Sequence, residues 1–224
     1  MRRSTPPSAA ANGTLPSVSI VDPGFFGGGA NDVHPDHDVR MGQALIASVV
    51  NALGASPQWG RCLLVISYDE HGGFFDHVAP PTTTDEREPF RQLGFRVPSL
   101  VIGPTVRRGE VVHTTFDHVS VISTLTRRFG LPALNDRVAA ASDLSPCIAP
   151  QYLADPQPPP LIPPLTMSRA AVLDRPPTAA HPELAAALDA MDLPPELDRR
   201  DRPREVTARF LDCAVQVGAV QLVD

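Results

Sequence analysis

Six of the seven histidines lie in three polar segments, and each segment follows a run of apolar residues that is typical of a β-strand. The segments span residues 27–38, 68–77 and 113–118, and each also contains aspartate. In a parallel α/β sheet, ligands bind beyond the carboxyl ends of the strands, so the three segments are predicted to meet at one rim. Because histidine and carboxylate side chains bind metals and transfer protons, we expect a site there.

Asp69 and Glu70 follow the apolar run 61–67 after one residue, and Gly72 and Gly73 lie just beyond them. Adjacent carboxylates repel each other unless a cation or a proton lies between them, and hard divalent ions bind such oxygens readily. The glycine pair allows a sharp turn and a close approach of the backbone to a ligand. A solvated acidic turn is the alternative, but the neighbouring histidine segments favour metal ligands at Asp69 and Glu70.

Three histidines are the candidates for catalysis. His34 precedes a proline, which keeps the backbone extended there, and its imidazole can bind a metal, hold a phosphate oxygen or protonate a leaving group. His118 lies in the first turn of a predicted helix, where free N–H groups favour an anion, although a structural hydrogen bond near the cap explains it equally well. His71 adjoins the two carboxylates, but a solvent-facing turn residue is also compatible. The remaining histidines are weak candidates (His37, His77 and His113) or an expected surface residue (His181).

Apolar patterns predict the elements that would position these side chains. Residues 18–21, 61–67 and 97–102 are predicted strands, and residues 40–53, 117–129, 181–191 and 204–217 are predicted helices. This order predicts an α/β fold with a mainly parallel sheet flanked by helices, in which residues 62–67 and 97–102 form interior strands.

Composition divides the chain into four parts. Residues 1–16 are predicted to be a flexible leader, residues 17–148 an α/β segment, and residues 181–224 a helical tail. The chain has 26 prolines, about twice the average usage of roughly 5%. Many of them lie in residues 149–180, which are therefore predicted to be an extended segment.

Charge and hydropathy exclude several classes of partner. The net charge of −6 argues against nucleic-acid binding. No apolar run approaches the roughly 18 residues of a transmembrane helix, and residues 4–16 lack a signal-peptide core, so the chain as written is expected in the cytoplasm. The three cysteines match no metal or redox spacing and are expected to be free thiols.

Residues 67–81, SYDEHGGFFDHVAPP, resemble the signature of the bacterial phosphoesterase family. This family comprises the phosphatidylcholine-type phospholipases C and related acid phosphatases of the alkaline phosphatase-like superfamily. The resemblance covers roughly residues 17–148 and continues in order in the flanking motifs at 32–35, 56–59, 93–98, 107–109 and 116–120.

The resemblance implies a phosphoric ester hydrolase that uses a divalent metal ion, of unspecified identity, on a phosphate ester or phospholipid. By position, Asp69 and Glu70 match the family's paired metal-binding acids, and His34 matches a histidine that faces the phosphate. His71 occupies a position that varies in the family, and His118 lies in a family motif. Relatives in this family are commonly exported.

The resemblance also implies that only the C-terminal half of a catalytic domain is present. In the family, an acidic residue and an amide near the N-terminus complete the metal site, and the hydroxyl nucleophile lies upstream of the region matched here. Ser67 and Thr82–Thr84 are the nearby hydroxyls, and none lies in the family's nucleophile motif. We therefore expect an incomplete site, whose missing half is either supplied by a partner chain or was lost through a misplaced start. The alternative is a non-catalytic remnant or a metal- or phosphate-binding interaction module.

Overall fold

The computed structural model describes residues 6–191, 193–194, 200 and 202–223, without the side chains of residues 6 and 7. The chain forms two compact units, of which the first combines Met1–Trp59 with Pro159–Asp224 and the second is Gly60–Pro158. The first unit thus combines an N-terminal and a C-terminal segment of the chain. The sequence patterns, in contrast, group residues 17–148 together. Residues 1–5 of the predicted leader, and 192, 195–199, 201 and 224 of the predicted tail, lie outside the described residues.

The described residues form eight α-helices and four short strands, interspersed along the chain. In order they are α1 (Pro6–Ala11), α2 (Val39–Gly54), β1 (Leu64–Ser67), β2 (Ser99–Ile102), α3 (Val119–Phe129), α4 (Asp136–Ala140), α5 (Gln151–Ala154), β3 (Leu165–Ser168), α6 (Arg169–Leu173), α7 (Pro182–Ala190), α8 (Pro203–Gln216) and β4 (Val220–Val223). This mixture of helices and small sheets confirms the predicted α/β class. No helix among the described residues is long and apolar enough to span a bilayer.

Helices α2 and α8 contribute most of the core of the first unit. The carboxylate of Asp38 caps α2 by accepting the N–H of Arg40 at 3.0 Å, which satisfies a donor that the helix itself cannot pair. Both helices match the predicted ranges 40–53 and 204–217 closely, since their apolar residues recur at helical spacing. The buried core residues are Met41, Ala44, Ala47, Met167, Val172, Leu211, Ala214, Ala219 and Val220.

The sequence predicted that residues 149–180 form an extended segment, but the structure is extended in only part of it. This segment contains α5, β3 and α6, and β3 pairs in parallel with β4, with Leu165 opposite Val220 and Ser168 opposite Val223. Met167 of β3 is 3% exposed, so this strand belongs to the core of the first unit. The prolines cluster in residues 156–164, which carry no helix or strand, and leave the four residues of β3 free to donate ladder hydrogen bonds.

The second unit contains a two-stranded sheet that corrects the predicted topology. β1 and β2 pair antiparallel, with Leu64 opposite Ile102 and Ser67 opposite Ser99. Neither strand is interior, because Leu100 is 53% exposed and no residue of either strand is fully buried. A continuous apolar run is compatible with a strand buried on both faces, but the run does not determine the direction of the partner strand or the number of covering layers.

The N-terminal predictions are also corrected by the structure. Residues 18–21 form no strand, and Ile20 is 84% exposed, because a β-branched run becomes a strand only where another strand pairs with it. The predicted flexible leader contains α1, in which Ala10 is 2% exposed and accepts a hydrogen bond from the hydroxyl of Ser56.

Candidate functional site

The loop after β1 carries the two predicted metal-binding acids on a tight turn. Both Asp69 and Glu70 are exposed, and a carboxylate oxygen of Glu70 accepts the N–H of Gly72 at 2.8 Å. Gly72 and Gly73 have φ values of 68° and 76°, a backbone region that side chains other than glycine rarely adopt. The glycine pair therefore makes the turn, and the turn holds the Glu70 carboxylate beside its own backbone.

His118 is brought to this loop by the start of α3. Its Nε2 lies 2.8 Å from the carbonyl oxygen of Tyr68, the residue before Asp69. A carbonyl only accepts, so Nε2 carries the proton and the Nδ1 of a neutral ring keeps its lone pair. His118 occupies the N-cap position of α3 without a side-chain capping bond. The predicted structural hydrogen bond therefore exists, but it joins α3 to the acidic loop rather than capping the helix.

An arginine fixes the helix start that positions His118. Asp117 accepts the N–H of Val119 at 3.0 Å through one oxygen, and its other oxygen lies 3.1 Å from the guanidinium of Arg137. The same guanidinium lies 3.2 Å from Asp85. The N–H of Arg87 is the largest cause of the lowered pKa of the Asp85 carboxyl, and Arg137 adds to it. Arg137 thus ties the start of α3 to a second acidic side chain.

His71 is held within the turn rather than projecting toward a ligand. Its Nδ1 lies 2.9 Å from the carbonyl oxygen of Phe74, and its ring meets the ring of Phe95 edge-on at 4.9 Å between centroids. The geometry is that of a turn residue, which is the alternative that the sequence left open for this position.

The far end of the loop is fixed by an ion pair. The guanidinium of Arg96 contacts both carboxylate oxygens of Asp76, at 2.7 and 2.9 Å, and the N–H of Val78 adds a third bond. These contacts hold the pKa of the Asp76 carboxyl well below its usual range, with Arg96 as the largest cause. The side chain of His77 is mostly exposed, and its Nδ1 lies 3.7 Å from the same carboxylate.

His34, the third catalytic candidate, lies in the first unit in a cluster of histidine rings. Its ring centroid is 4.5 Å from that of His181 and 5.7 Å from that of His37. Its Nδ1 is buried and has no hydrogen-bond partner among the described residues. Val33, the residue before it, has a positive φ of 66°, which is strained for a β-branched side chain.

Asp32 joins two further histidines to this cluster. Its two oxygens lie 2.5 Å from Nδ1 of His37 and 2.5 Å from Nε2 of His181. The expectation that His181 is a plain surface residue is wrong, because its side chain is 22% exposed and is packed against the Phe25 ring. No local signal indicated this, since His181 is separated from Asp32 by 149 positions in the chain.

Only one group of metal-ligand side chains exists among the described residues. Asp32, His37 and His181 each place one ligand atom within 4.8 Å of the other two, which is compatible with a divalent metal ion. Asp69 and Glu70 have no third histidine, cysteine, aspartate or glutamate at that distance in the described part of the chain. Their oxygens suit a hard divalent ion, but they supply only part of its usual six to eight ligands.

Comparison with known proteins identifies the family. The model of the phosphoesterase family matches residues 6–132, more than half of the chain. The chain belongs to the phosphoesterase family. This confirms the resemblance that the run 67–81 indicated, and the matched region includes His34, Asp69, Glu70, His71 and His118. His181 lies beyond it.

Several curated phospholipases C are similar to this chain. The chain is 40% identical over 144 residues to non-specific phospholipase C6 of Arabidopsis thaliana, an alignment that covers 54% of this chain and 28% of the relative. It is 40% identical over 145 residues to phospholipase C B of Mycobacterium tuberculosis (strain ATCC 25618 / H37Rv), covering 55% of this chain and 27% of the relative. The aligned part of the phosphoesterase-family chain therefore spans about a quarter of the length of these relatives.

Proposed function

We propose that this chain carries part of the site of a phosphoric ester hydrolase of the phospholipase C or acid phosphatase type. Family membership and the names of the similar proteins support the reaction class. The observation that carries the proposal in this chain is the bond between His118 and Tyr68, because it places an imidazole beside the loop with the two acids. A phosphate ester or phospholipid is the proposed substrate.

Asp69 and Glu70 are the proposed ligands of a divalent metal ion. When bound, such an ion would polarise a phosphoryl oxygen and offset charge that develops on it. The turn at Gly72 and Gly73 presents both carboxylates on the surface, where a substrate and water have access. Because the carboxylates are two adjacent groups without a third protein ligand of the usual types among the described residues, we expect weak binding by this chain alone.

The proposed roles of the histidines follow from their hydrogen bonds. His118, with its proton on Nε2, would keep the Nδ1 lone pair for a proton from water or from a substrate. His34 would face the phosphate, as the resemblance implies. His71 would act through the shape of the turn, since its Nδ1 already pairs with a backbone carbonyl.

In the described part of the chain, the proposed site has no activated hydroxyl nucleophile. The Ser67 hydroxyl donates to the carbonyl of Tyr68 at 3.3 Å and is not paired with a basic group, so nothing activates it. We therefore propose that the missing acid, amide and hydroxyl come from another part of the protein or from a partner chain. The alternative function is a binding module that retains metal or phosphate affinity without catalysis.

Turnover and metal binding test the proposal together. With a chromogenic phosphate mono- or diester and added divalent metal, we expect the chain alone to turn over far more slowly than the roughly 1 to 10³ per second of working enzymes. Co-expression with a polypeptide supplying the upstream half of the domain should restore turnover. Absence of activity in that complex would favour the binding module.

A pair of matched double variants separates the metal site from general charge effects. Asp69→Ala with Glu70→Ala should abolish calcium, magnesium or manganese binding in calorimetric titrations. The control, Asp22→Ala with Asp155→Ala, removes the same charge from two other exposed positions and should leave the affinity unchanged. Unchanged affinity in the first double variant would refute the assignment of Asp69 and Glu70.

A further inference from the structure

We propose that Asp32, His37 and His181 form a binding site for a divalent transition-metal ion of the zinc type. This site is built from the first unit and uses none of the acids in the loop after β1. It does not depend on the proposed hydrolase function.

The three side chains already converge on one point. His37 and His181 each direct a ring nitrogen at a different oxygen of the same carboxylate, at 2.5 Å in both cases. The side chains of Asp32 and His37 are 4% and 3% exposed, so both were removed from water to make this contact. In a tetrahedral zinc site, ligand distances near 2.0–2.2 Å separate the ligand atoms by about 3.4 Å. A shift of about 1 Å between carboxylate and rings therefore admits an ion.

The donor set selects the class of metal. Two imidazole nitrogens and one carboxylate oxygen match the three protein ligands of many zinc sites, which keep a fourth position for water or substrate. Calcium and magnesium prefer shells made of oxygen alone, so a site with two nitrogens of three protein ligands discriminates against them.

Thr178 supports His37 from the side that faces away from Asp32. Its hydroxyl lies 2.7 Å from Nε2 of His37. A hydroxyl both donates and accepts, so it can pair with Nε2 when the ring proton is on Nδ1 and also when Nδ1 binds a metal. A polar partner on the second ring nitrogen is the usual support of a metal-binding histidine, because it fixes the ring orientation and tautomer.

The backbone is strained at two points of this cluster. Val33 and His181 are the two residues other than glycine with positive φ among the described residues, at 66° and 61°. Strained conformations persist where the surrounding structure holds them, and they concentrate at binding sites. Gly42 contributes to holding Val33, since a Cβ at Gly42 would collide with the Val33 side chain.

One further imidazole nitrogen beside the cluster has no hydrogen-bond partner among the described residues. The Nδ1 of His34 is buried and unpaired among the described residues, although its ring lies 4.5 Å from that of His181. Leaving a buried polar atom unpaired costs free energy, and an ion or a water that it serves is a usual explanation. This atom is an independent indication that the cluster accommodates a ligand.

The family match does not account for the cluster. His181 and Thr178 lie beyond residue 132, where the match ends, so two of the groups that build the site belong to the part of the chain outside it. The site is thus a property of the way this chain joins residues 32–37 to residues 178–181.

Calorimetric titration of the full chain with zinc chloride, and separately with calcium chloride, tests the proposal. We expect one zinc ion per chain and no calcium binding that depends on Asp32, His37 or His181. Asp32→Asn and His181→Asn should each weaken zinc binding at least tenfold; asparagine suits position 181 because it tolerates positive φ. His113→Ala is the matched control, an exposed histidine whose loss should leave zinc affinity unchanged.

Two further measurements keep the test decisive if a ligand variant folds poorly. Thr178→Val retains all three ligands and should weaken zinc binding about tenfold through the loss of support for His37. Cobalt added to the unmodified chain should give visible absorption without a thiolate charge-transfer band, because no cysteine takes part. A thiolate band, or zinc affinity unchanged in the folded Asp32, His181 and Thr178 variants, would overturn the proposal, as would no zinc binding by the unmodified chain.

The double variant Asp69→Ala with Glu70→Ala distinguishes this site from the proposed hydrolase site. It should retain full zinc affinity at the cluster of Asp32, His37 and His181. Loss of zinc binding in this variant would assign the ion to the loop after β1 and overturn the inference, whereas failure of the hydrolase proposal leaves this result unaffected.

Discussion

The Nε2 atom of His118 lies 2.8 Å from the carbonyl oxygen of Tyr68 and so joins the start of α3 to the residue before Asp69. The two residues are separated by 50 positions in the chain. The contact fixes the His118 tautomer and restrains the acidic loop at its first residue. It is therefore the place where the structure couples a candidate catalytic group to the candidate metal ligands.

Replacing His118 should loosen that loop. A hydrogen bond of this kind contributes about 0.5–1.5 kcal/mol, so His118→Ala should speed amide exchange in residues 68–73 roughly fivefold. Hydrogen–deuterium exchange with mass spectrometry measures the effect. His118→Gln, which offers an N–H donor on a side chain of similar reach, should recover part of the protection. His113→Ala should change nothing in this segment, and equal exchange in His118→Ala and the unmodified chain would contradict the anchoring role.

Asp38 should make the stability of the first unit depend on pH. Arg40 is the largest cause of a lowered pKa at this carboxyl, and Arg175 at 2.6 Å adds to it. Because the folded pKa lies below the unfolded value of about 3.9, the stabilisation is complete above that value and is lost as the pH falls toward the folded pKa. Asp38→Asn should therefore reduce the loss of stability between pH 5 and pH 3.

Two substitutions of Asp38 distinguish the effect of its charge on stability from its effect as a helix cap. Asparagine still caps a helix, whereas alanine does not, so Asp38→Ala should be less stable than Asp38→Asn by about 1 kcal/mol at pH 7. Urea unfolding followed by fluorescence suits both comparisons, because the single tryptophan, Trp59, is 9% exposed in the first unit. The control Asp22→Asn changes an exposed carboxylate and should match the unmodified chain at both pH values. A pH dependence retained in Asp38→Asn would contradict this assignment.

Gly28 is predicted to tolerate no side chain. A Cβ at this position would collide with the backbone carbonyl oxygen of Arg175, which cannot move aside as a side chain could. Gly28→Ala should lower the free energy of unfolding by about 1–3 kcal/mol, as overpacking does elsewhere. At Gly60 a Cβ meets nothing within 4 Å, so Gly60→Ala should stay within about 0.5 kcal/mol of the parent. Thermal unfolding followed by circular dichroism compares the two variants. Equal stability of both would show that the close approach of Gly28 to the Arg175 backbone does not affect the free energy of unfolding.

Much of the local structure could be predicted from the sequence. The apolar spacing in α2 and α8 predicts those helices because burial of one helical face is a local property of the pattern. The range of α3 was predicted too, although its buried residues are Ser120, Ser123 and Thr126. Gly130 was the expected stop of α3, and it adopts the left-handed conformation that a helix end favours. The run 67–81 was sufficient to identify the family, since the order of its residues carries that information without reference to the fold.

Other features were decided only by tertiary structure. The apolar runs of β1 and β2 were recognised, but their antiparallel pairing depends on which edges meet, and composition does not specify that. His181 could not be linked to Asp32 from the sequence, because 149 positions separate them and no sequence motif relates the two residues. The hydrogen bond between His181 and Asp32 depends on the packing of the two chain segments that make up the first unit. The periodicity of apolar residues indicates which face of a helix or strand is buried. Which other element covers that face depends on the packing of the whole unit.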